Sequence, residues 1–569
     1  MVRRLAALWL ALSFACSSKS EVKRNGSAGD PPTGPSAAKP PDATFTLFAL
    51  AEVRGQLGPC GCTSDPLGDI SRTTKLIQEA KAKGPVLVVD AGSLLYSQNP
   101  VPPQLAAQEE LKANLLATVY RESLGVAAVG LGPADLAKGA QGVRFPRFVE
   151  NVDDPAYPTT KAKLMTVGSA KVGVFGVIAT GAVPSVKTSD PVAAGKAAVA
   201  GLRKQGAQIV IALVQASSKR DAVELARDIG GIDLSVAGLG AVAPEPERVE
   251  VEANKVGDGW LIVPANRGQI ISRVDVWVRG TPGPLADAIG RGTAAAKIAR
   301  IDHEVTVLDN ELAKFAKDAS ADPQFLAKKK QERQQLLGEK QQLQAQPLVV
   351  PAQGSFFTLE QVRISKTLAC DKPVQDLIKS YDQAAGEANV KAAAAKRVPP
   401  APKGKASYVG TEACADCHQD AVDFWKKTVH AGAWKTLVDR GQQYDYSCIG
   451  CHVTGWDKPG GSNLAHNDKL RDVQCETCHG PGSIHVAKGG EEKPFAVLRD
   501  PPHDLCATQC HTKEHSDTFE YTAYLRDIVG PGHGPERRKQ LGDGPTGHSL
   551  RSAALDKAGR VIGAGCAKE

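Results

Sequence analysis

Between residues 413 and 511 the pattern Cys-x-x-Cys-His occurs three times, and a fourth time with one residue more. The copies read CADCH (Cys414, Cys417, His418), CIGCH (Cys448, Cys451, His452), CETCH (Cys475, Cys478, His479) and CATQCH (Cys506, Cys510, His511). One such motif alone is open to a zinc half-site or a redox dithiol. Zinc has no need of a histidine directly after every second cysteine, whereas covalent attachment of haem c uses all three residues. The two thiols add to the haem vinyl groups, and the histidine becomes the proximal iron ligand. Four haems are therefore expected. At CATQCH the sulfur spacing is wider, but positions i and i+4 of a helix still share one face.

The second axial ligand follows by elimination. The only methionines, Met1 and Met165, lie far from the motifs, which leaves histidine, water or an open position. From residue 406 onward there are eleven histidines; four are proximal, leaving His430, His466, His485, His503, His515, His533 and His548. Each is also readable as an ordinary loop histidine. An axial ligand needs a segment held still, which favours His430, flanked by Phe424, Trp425 and Trp434, and then His485, close behind a motif. His515 and His533 come next as distal candidates, and His466, His503 and His548 last.

A chain of 569 residues is expected to hold two or three domains. Hydrophobic content of 42% and a formal charge of +7 fit a water-soluble globular protein, and no basic stripe interleaved with aromatics points to nucleic acid. Arg3 and Arg4 precede an apolar run from Leu5 to Ala15, too short to span a bilayer, so residues 1–16 read as an export signal. LSFAC resembles a bacterial lipobox, which would lipidate Cys16; simple cleavage is the alternative. Residues 17–42 read as a flexible tether. Export agrees with haem c, which is assembled outside the bacterial cytoplasm, so a periplasmic or membrane-anchored protein is expected. Beyond the motifs and Cys16, the cysteines are Cys60, Cys62, Cys370 and Cys566. They are expected either to stay reduced or to pair, with a bridge from Cys60 or Cys62 to Cys370.

Residues 43–285 alternate β-rich runs (Thr44–Leu50, Val86–Val89, Ile209–Val214, Leu234–Ala237, Leu261–Pro264) with amphipathic stretches (Ser71–Ala82, Arg220–Ile229), the pattern of an α/β sandwich. The segments ALAEVRGQLGPCGC, VLVVDAGSLLY, AAVGLGPADLAKG and IDLSVAGLGA resemble the metal-binding motifs of the 5'-nucleotidase branch of the metallophosphatases. That family's Asp-x-His falls on Glu52 and Arg54, its bridging aspartate on Ser93, its Asn-His pair on Pro133 and Ala134, and its last histidines on Leu239 and Ala241. No histidine precedes His303, and a two-metal site needs several imidazoles and carboxylates together. Glu52 and Asp90 alone could not hold it. The expectation is a pseudo-enzyme fold kept for shape. A metal-free anion or nucleotide pocket read by Arg54 is the alternative, and a surface or salt-bridged arginine is the plainer reading of Arg54.

Residues 286–386 form an expected connector. Ile298, Ile301, Val305, Leu308, Leu312 and Phe315 recur at intervals of 3 and 4, and a second helix runs from Asp322–Pro323 to about Gln346, which together predict a helical hairpin or short coiled coil. A helix is expected near Pro373–Ala385, then a linker at residues 387–405. Residues 406–569 are expected to be mostly helical or irregular. The phrases YVGTEACADCH, SCIGCHVTGW, VQCETCHGPGSIHV and EHSDTFEY resemble the tetrahaem cytochromes of ammonia-oxidising bacteria. The resemblance implies electron transfer with redox protein partners; in an electron carrier with every iron six-coordinate, the first domain is expected to act as a docking or anchoring module. A reductase or oxidase of a small nitrogen or sulfur compound is the alternative, with CATQCH as the best place for an exceptional iron. Hydrolysis of phosphoesters is the remaining reading, against which the residues argue.

Overall fold

The computed structural model describes residues 42–59, 62–280, 283–315, 322–348 and 350–566. The export signal, Cys16, nearly all of the expected tether and Cys60 lie outside them. The described part forms one compact unit.

Two six-stranded sheets make up its α/β part. The first runs in the order Ala286–Asp287, Phe356–Arg363, Ile270–Trp277, Phe45–Leu50, Val86–Asp90, Ala128–Val129. The second runs Asn254–Val256, Gly259–Ile262, Leu234–Gly238, Ile209–Gln215, Ala170–Ile178, Lys163–Val167. Strand alternation explains the layering. Phe45, Leu47 and Ala49 point to the inner core with Val172, Val174, Ile211 and Leu213 of the other sheet, whereas Phe48 and Leu50 point outward. The outward faces are covered by helices: Ile70–Lys81, Ala106–Thr118 and Lys372–Ala394 on the first sheet, Pro191–Lys204 and Lys219–Ile229 on the second. Buried parallel pairs such as Leu47↔Leu87 and Val172↔Ile209 account for the nearly continuous apolar strands.

The first sheet also takes a strand from beyond residue 285. Phe356–Arg363 pairs antiparallel with Ile270–Trp277 along its whole length, from Trp277↔Phe356 to Ile270↔Arg363. The segment between these two strands includes an antiparallel helical hairpin of Arg291–Phe315 and Pro323–Ala345. Ile301, Val305 and Leu343 are buried along its seam, Arg333 bonds Asp309 at 2.5 Å, and Phe315 meets Phe325 edge-on near the tip.

Helix Lys372–Ala394 starts at Asp371, whose carboxylate accepts from the Val374 N–H at 3.0 Å. It continues eight residues into the stretch expected as linker, because that Ala-rich run has the highest helix propensity and packs on both sides. Its Asn389 donates to Gln108 Oε1 at 2.8 Å and to the Tyr444 carbonyl at 2.9 Å. Ala393 joins the small apolar cluster of the C-terminal part, with Trp434, Ile449, Val453 and Leu464. The bridge expected from Cys60 or Cys62 to Cys370 is corrected: Cys370 is disulfide-bonded to Cys566, and Cys62 is a free, exposed thiol. The Cys370 N–H also bonds the Ala564 carbonyl at 2.9 Å, so the C-terminal segment runs alongside it.

Candidate haem-binding site and a closed phosphatase-like centre

Each Cys-x-x-Cys-His motif sits on a short helix or its end. Cys414 and Cys417 lie in helix Glu412–Trp425, which leaves helical geometry at His418 (φ −124°, ψ 40°) and turns that imidazole away from the helix. Cys448 lies in Tyr446–Ile449, opened by Asp445, which accepts from the Ser447 N–H at 2.7 Å. The third motif is the whole of helix Cys475–His479, ended by Gly480 at φ +79°. In the fourth, helix Leu505–Gln509 absorbs the extra residue in a wide turn: the Cys510 and His511 N–H groups both reach the Cys506 carbonyl, at 3.2 and 2.8 Å.

The motifs also meet one another. The Thr411 hydroxyl, just before the first motif, lies 3.8 Å from Cys475 Sγ of the third, and the Cys451 thiol of the second donates to the Gln509 carbonyl of the fourth at 3.5 Å, so the first motif lies beside the third and the second beside the fourth.

Three imidazole pairs stand opposite each other across gaps of one size. His418 and His485 have ring centres 6.4 Å apart, His430 and His511 6.3 Å, and His479 and His533 6.5 Å, with planes inclined by 18°, 38° and 30°. Direct stacking would bring such rings much closer. Two iron–nitrogen bonds of about 2.0 Å, with about 1.1 Å from each nitrogen to its ring centre, sum to about 6.2 Å. An iron ion held by both rings would span such a gap, so the residues fit bis-histidine haem.

Orientation and protonation agree. Nδ1 of His452 lies 2.6 Å from the Ala433 carbonyl and that of His479 2.6 Å from the Leu498 carbonyl. A carbonyl only accepts, so each Nδ1 carries the proton and Nε2 keeps its lone pair for a metal. His511 Nδ1 is 3.0 Å from Ser516 Oγ, and His485 Nδ1 2.8 Å from Glu492. Burial, and then the neighbouring His511, pushes His430 down to about 4; burial also lowers His452, His511 and His533. Neutral imidazole is the ligating form.

His452 differs. Among the described residues no imidazole stands opposite it at this separation; His515 is near enough to help lower its pKa, after burial and Arg440, but is exposed. At CATQCH, the expected place for an exceptional iron, His511 faces His430; the motif histidine with no such opposite among the described residues is His452 of CIGCH. Of the other histidines, His503 lies against the Tyr521 ring at 3.5 Å, while the backbone N–H groups of His466 and His548 bond Asn463 and Asp527. The carbonyl acceptors at Ala433 and Leu498 carry no sequence signal, since any residue supplies one. Glu492, seven residues after His485, was visible as a carboxylate but not as its partner.

The phosphatase-like positions form a second polar cluster at the strand ends, and it does not fit a two-metal centre. Glu52, Arg54 and Ser93 occupy left-handed backbone at φ 51°, 52° and 59°. Glu52 Oε1 accepts from Gln215 Nε2 at 3.1 Å and from the Gly240 N–H at 2.8 Å. Gln215 fills the space between Gly132 and Gly238: a Cβ at either glycine would meet its Oε1 at 2.8 or 2.6 Å. Asp90 is turned to the Tyr120 hydroxyl and the Gly92 N–H, both at 2.7 Å. Burial raises Glu52 to about 7 and Asp90 to about 6, which favours neutral acids over metal ligands. Among the described residues no group of three His, Cys, Asp or Glu could hold a metal ion. Pro133 and Ala134 supply no ligand, Leu239 is buried and apolar, and Ala241 is exposed.

Comparison with known proteins bears on the C-terminal part most directly. Residues 413–480 match the family model Cytochrome c554 and c-prime. Cytochrome c-554 of Nitrosomonas europaea is 34% identical over 93 residues, 14% of this chain and 40% of that protein, so the chain spans less than half of this relative. The cytochrome match implies c-type haem, which the opposed imidazoles fit. For the remainder, the 5'-nucleotidase precursor from Thermus thermophilus is similar at 16% identity and TM-score 0.39, covering 70% of this chain and 68% of that one. The calcineurin-like phosphoesterase YfkN from Bacillus subtilis is similar at 18% identity and TM-score 0.33, covering 43% and 87%. Among the described residues no helix is long and apolar enough to cross a membrane.

Proposed function

We propose that this chain is an exported multihaem c-type electron carrier, with four haems joined to Cys414/Cys417, Cys448/Cys451, Cys475/Cys478 and Cys506/Cys510. In this reading the α/β part is a non-catalytic docking module that serves redox protein partners, with Cys16 as the lipid anchor. His418, His452, His479 and His511 are the proximal ligands, and His485, His533 and His430 are the distal ligands to the first, third and fourth. The single observation that carries this reading is the set of three imidazole pairs with iron-sized gaps. When bound, haem supplies a reversible one-electron iron couple. The chain's own part is to orient His452, His479, His485 and His511 through their Nδ1 partners and to keep His430, His452, His511 and His533 neutral by burial.

A second reading has an observation of its own. With no opposed imidazole, the iron at His452 would keep a position free for a small nitrogen or sulfur compound, as in a reductase or oxidase. Phosphoester hydrolysis has no support from the filled Glu52–Gln215 cluster.

Pyridine haemochrome analysis of the exported protein is expected to give four haems per chain, and His430→Ala is expected to convert one low-spin iron to high-spin in low-temperature EPR. A colourless protein, or an H430A spectrum identical to that of the parent, would refute the assignment.

A further inference from the structure

Glu476, between the two cysteines of the third motif, is the only buried acid among the described residues from 406 onward, at 3% exposure. Three backbone N–H groups hold its carboxylate. The Val409 N–H reaches both oxygens at 3.0 Å, the Gly410 N–H reaches Oε2 at 2.7 Å, and the Gly482 N–H reaches Oε1 at 2.7 Å. Every partner donates, so the group only accepts, as a carboxylate does. Arg471 of the same segment pairs with Asp468 instead, at 2.7 Å.

The donors are themselves fixed, so the carboxylate has no way out to water. Two of them belong to the segment that enters the first motif. There Gly410 lies in left-handed backbone (φ 86°), where a Cβ would come within 2.9 Å of the Lys469 carbonyl. The Thr411 N–H and hydroxyl bond Gln474 Oε1 at 2.7 and 3.1 Å, and Gln474 Nε2 donates to the Lys469 and Arg471 carbonyls at 2.9 and 2.8 Å. On the other side, next to Gly482, Ser483 Oγ accepts from the Ser407 N–H at 2.8 Å and the Ser483 N–H reaches the Ser407 carbonyl at 3.1 Å. A negative charge is thus pinned between the first and third motifs, adjacent in sequence to the thiol of Cys475. N–H dipoles stabilise it without cancelling its net charge. Reduction of a haem iron adds one electron, and a fixed anion in a low-dielectric site opposes that addition.

We propose that Glu476 is a potential-setting residue: its pinned charge lowers the reduction potential of the haem carried by Cys475 and Cys478, so that this iron gives up its electron to a redox protein partner more readily. This rests on the four-haem reading above, and haem content separates the two.

The test is a redox titration followed by low-temperature EPR. It reads the low-spin signal of the His479–His533 pair, identified as the one that His533→Ala converts to high-spin. Glu476→Gln removes the charge and is expected to raise the midpoint of that signal. Val409→Lys sets a cation beside the carboxylate from a half-buried position and leaves the three N–H contacts in place; it is expected to raise the same midpoint. Glu476→Asp keeps the charge and is expected to stay near the parent value. Should Glu476→Gln lose haem, Val409→Lys alone decides. A midpoint unmoved in both charge-changing variants, or moved as far by Glu476→Asp as by Glu476→Gln, would overturn the role of the charge, while four haems per chain preserved the carrier reading. Fewer than four haems in the parent would instead count against the carrier reading.

Discussion

At the residue scale, protonation links the phosphatase-like centre to stability. Glu52 has its folded pKa at about 7 against an ordinary 4.5, because burial outweighs the hydrogen bonds from Gly240 and Gln215. The stability this contributes is full below pH 4.5, where folded and unfolded chains both hold the proton. It declines as the unfolded chain ionises and is lost once pH rises through 7. Asp90 and Asp382, raised by burial to about 6 and about 7, act in the same direction. Glu52→Gln is expected to leave denaturant stability near the parent value at pH 4. At pH 8 it is expected to raise it by up to about 3 kcal/mol, an upper value from the shift in pKa. Equal effects of the substitution at both pH values, measured by urea unfolding followed by circular dichroism, would refute the neutral-acid account. The four motifs were legible because covalent attachment of a cofactor imposes local spacing. Among the distal candidates, His430, His485 and His533 lie opposite a proximal imidazole, and His515 does not. What separates them is position in space: His430 is mostly buried whereas His515 is exposed, and chain order carries no trace of that.

At the scale of elements, local periodicity was readable and long-range pairing was not. The seam from Ile298 to Phe315 shows itself through its intervals, and the hairpin it forms keeps Ile301 at 1% exposure. Ile301→Ala is expected to destabilise the hairpin by about 2–4 kcal/mol. The loss would appear as faster hydrogen exchange confined to residues 291–345, with the Soret band unmoved; faster exchange throughout the sheets would contradict the hairpin's independence. The strand Phe356–Arg363 was unreadable as part of the first sheet because its partner, Ile270–Trp277, lies across the whole hairpin in sequence. The stretch from Glu387 to Ala394 was ambiguous for another reason: alanine-rich composition suits both a linker and a helix, and burial of Asn389 and Ala393 decides it. Disulfide pairing was equally hidden, since four cysteines admit three connectivities and only folding brings Cys370 to Cys566.

At the scale of the whole molecule, polar ties join the α/β and cytochrome parts at separate places. Gln108 donates to Asp445 at 2.7 Å beside the second motif, while Asn389 links Gln108 to Tyr444. Elsewhere Arg267 donates to Glu514 at 2.7 Å, the Ser64 N–H to Asp517 at 3.1 Å, and Arg551 to the Thr63 carbonyl at 3.0 Å. These contacts do not follow from either part's own pattern, because the ties from Gln108, Arg267 and Ser64 reach residues hundreds of positions away. The Cys370–Cys566 bond spans 196 residues and encloses all four motifs. Limited proteolysis within residues 395–405 is therefore expected to leave one band on a non-reducing gel and two on a reducing gel; separation without reductant would exclude the bond. The coloured segment is thus a handle fastened at both ends: a cut strand there stays moored to its neighbour, and shedding it into the surrounding fluid takes a reductant as well as a protease.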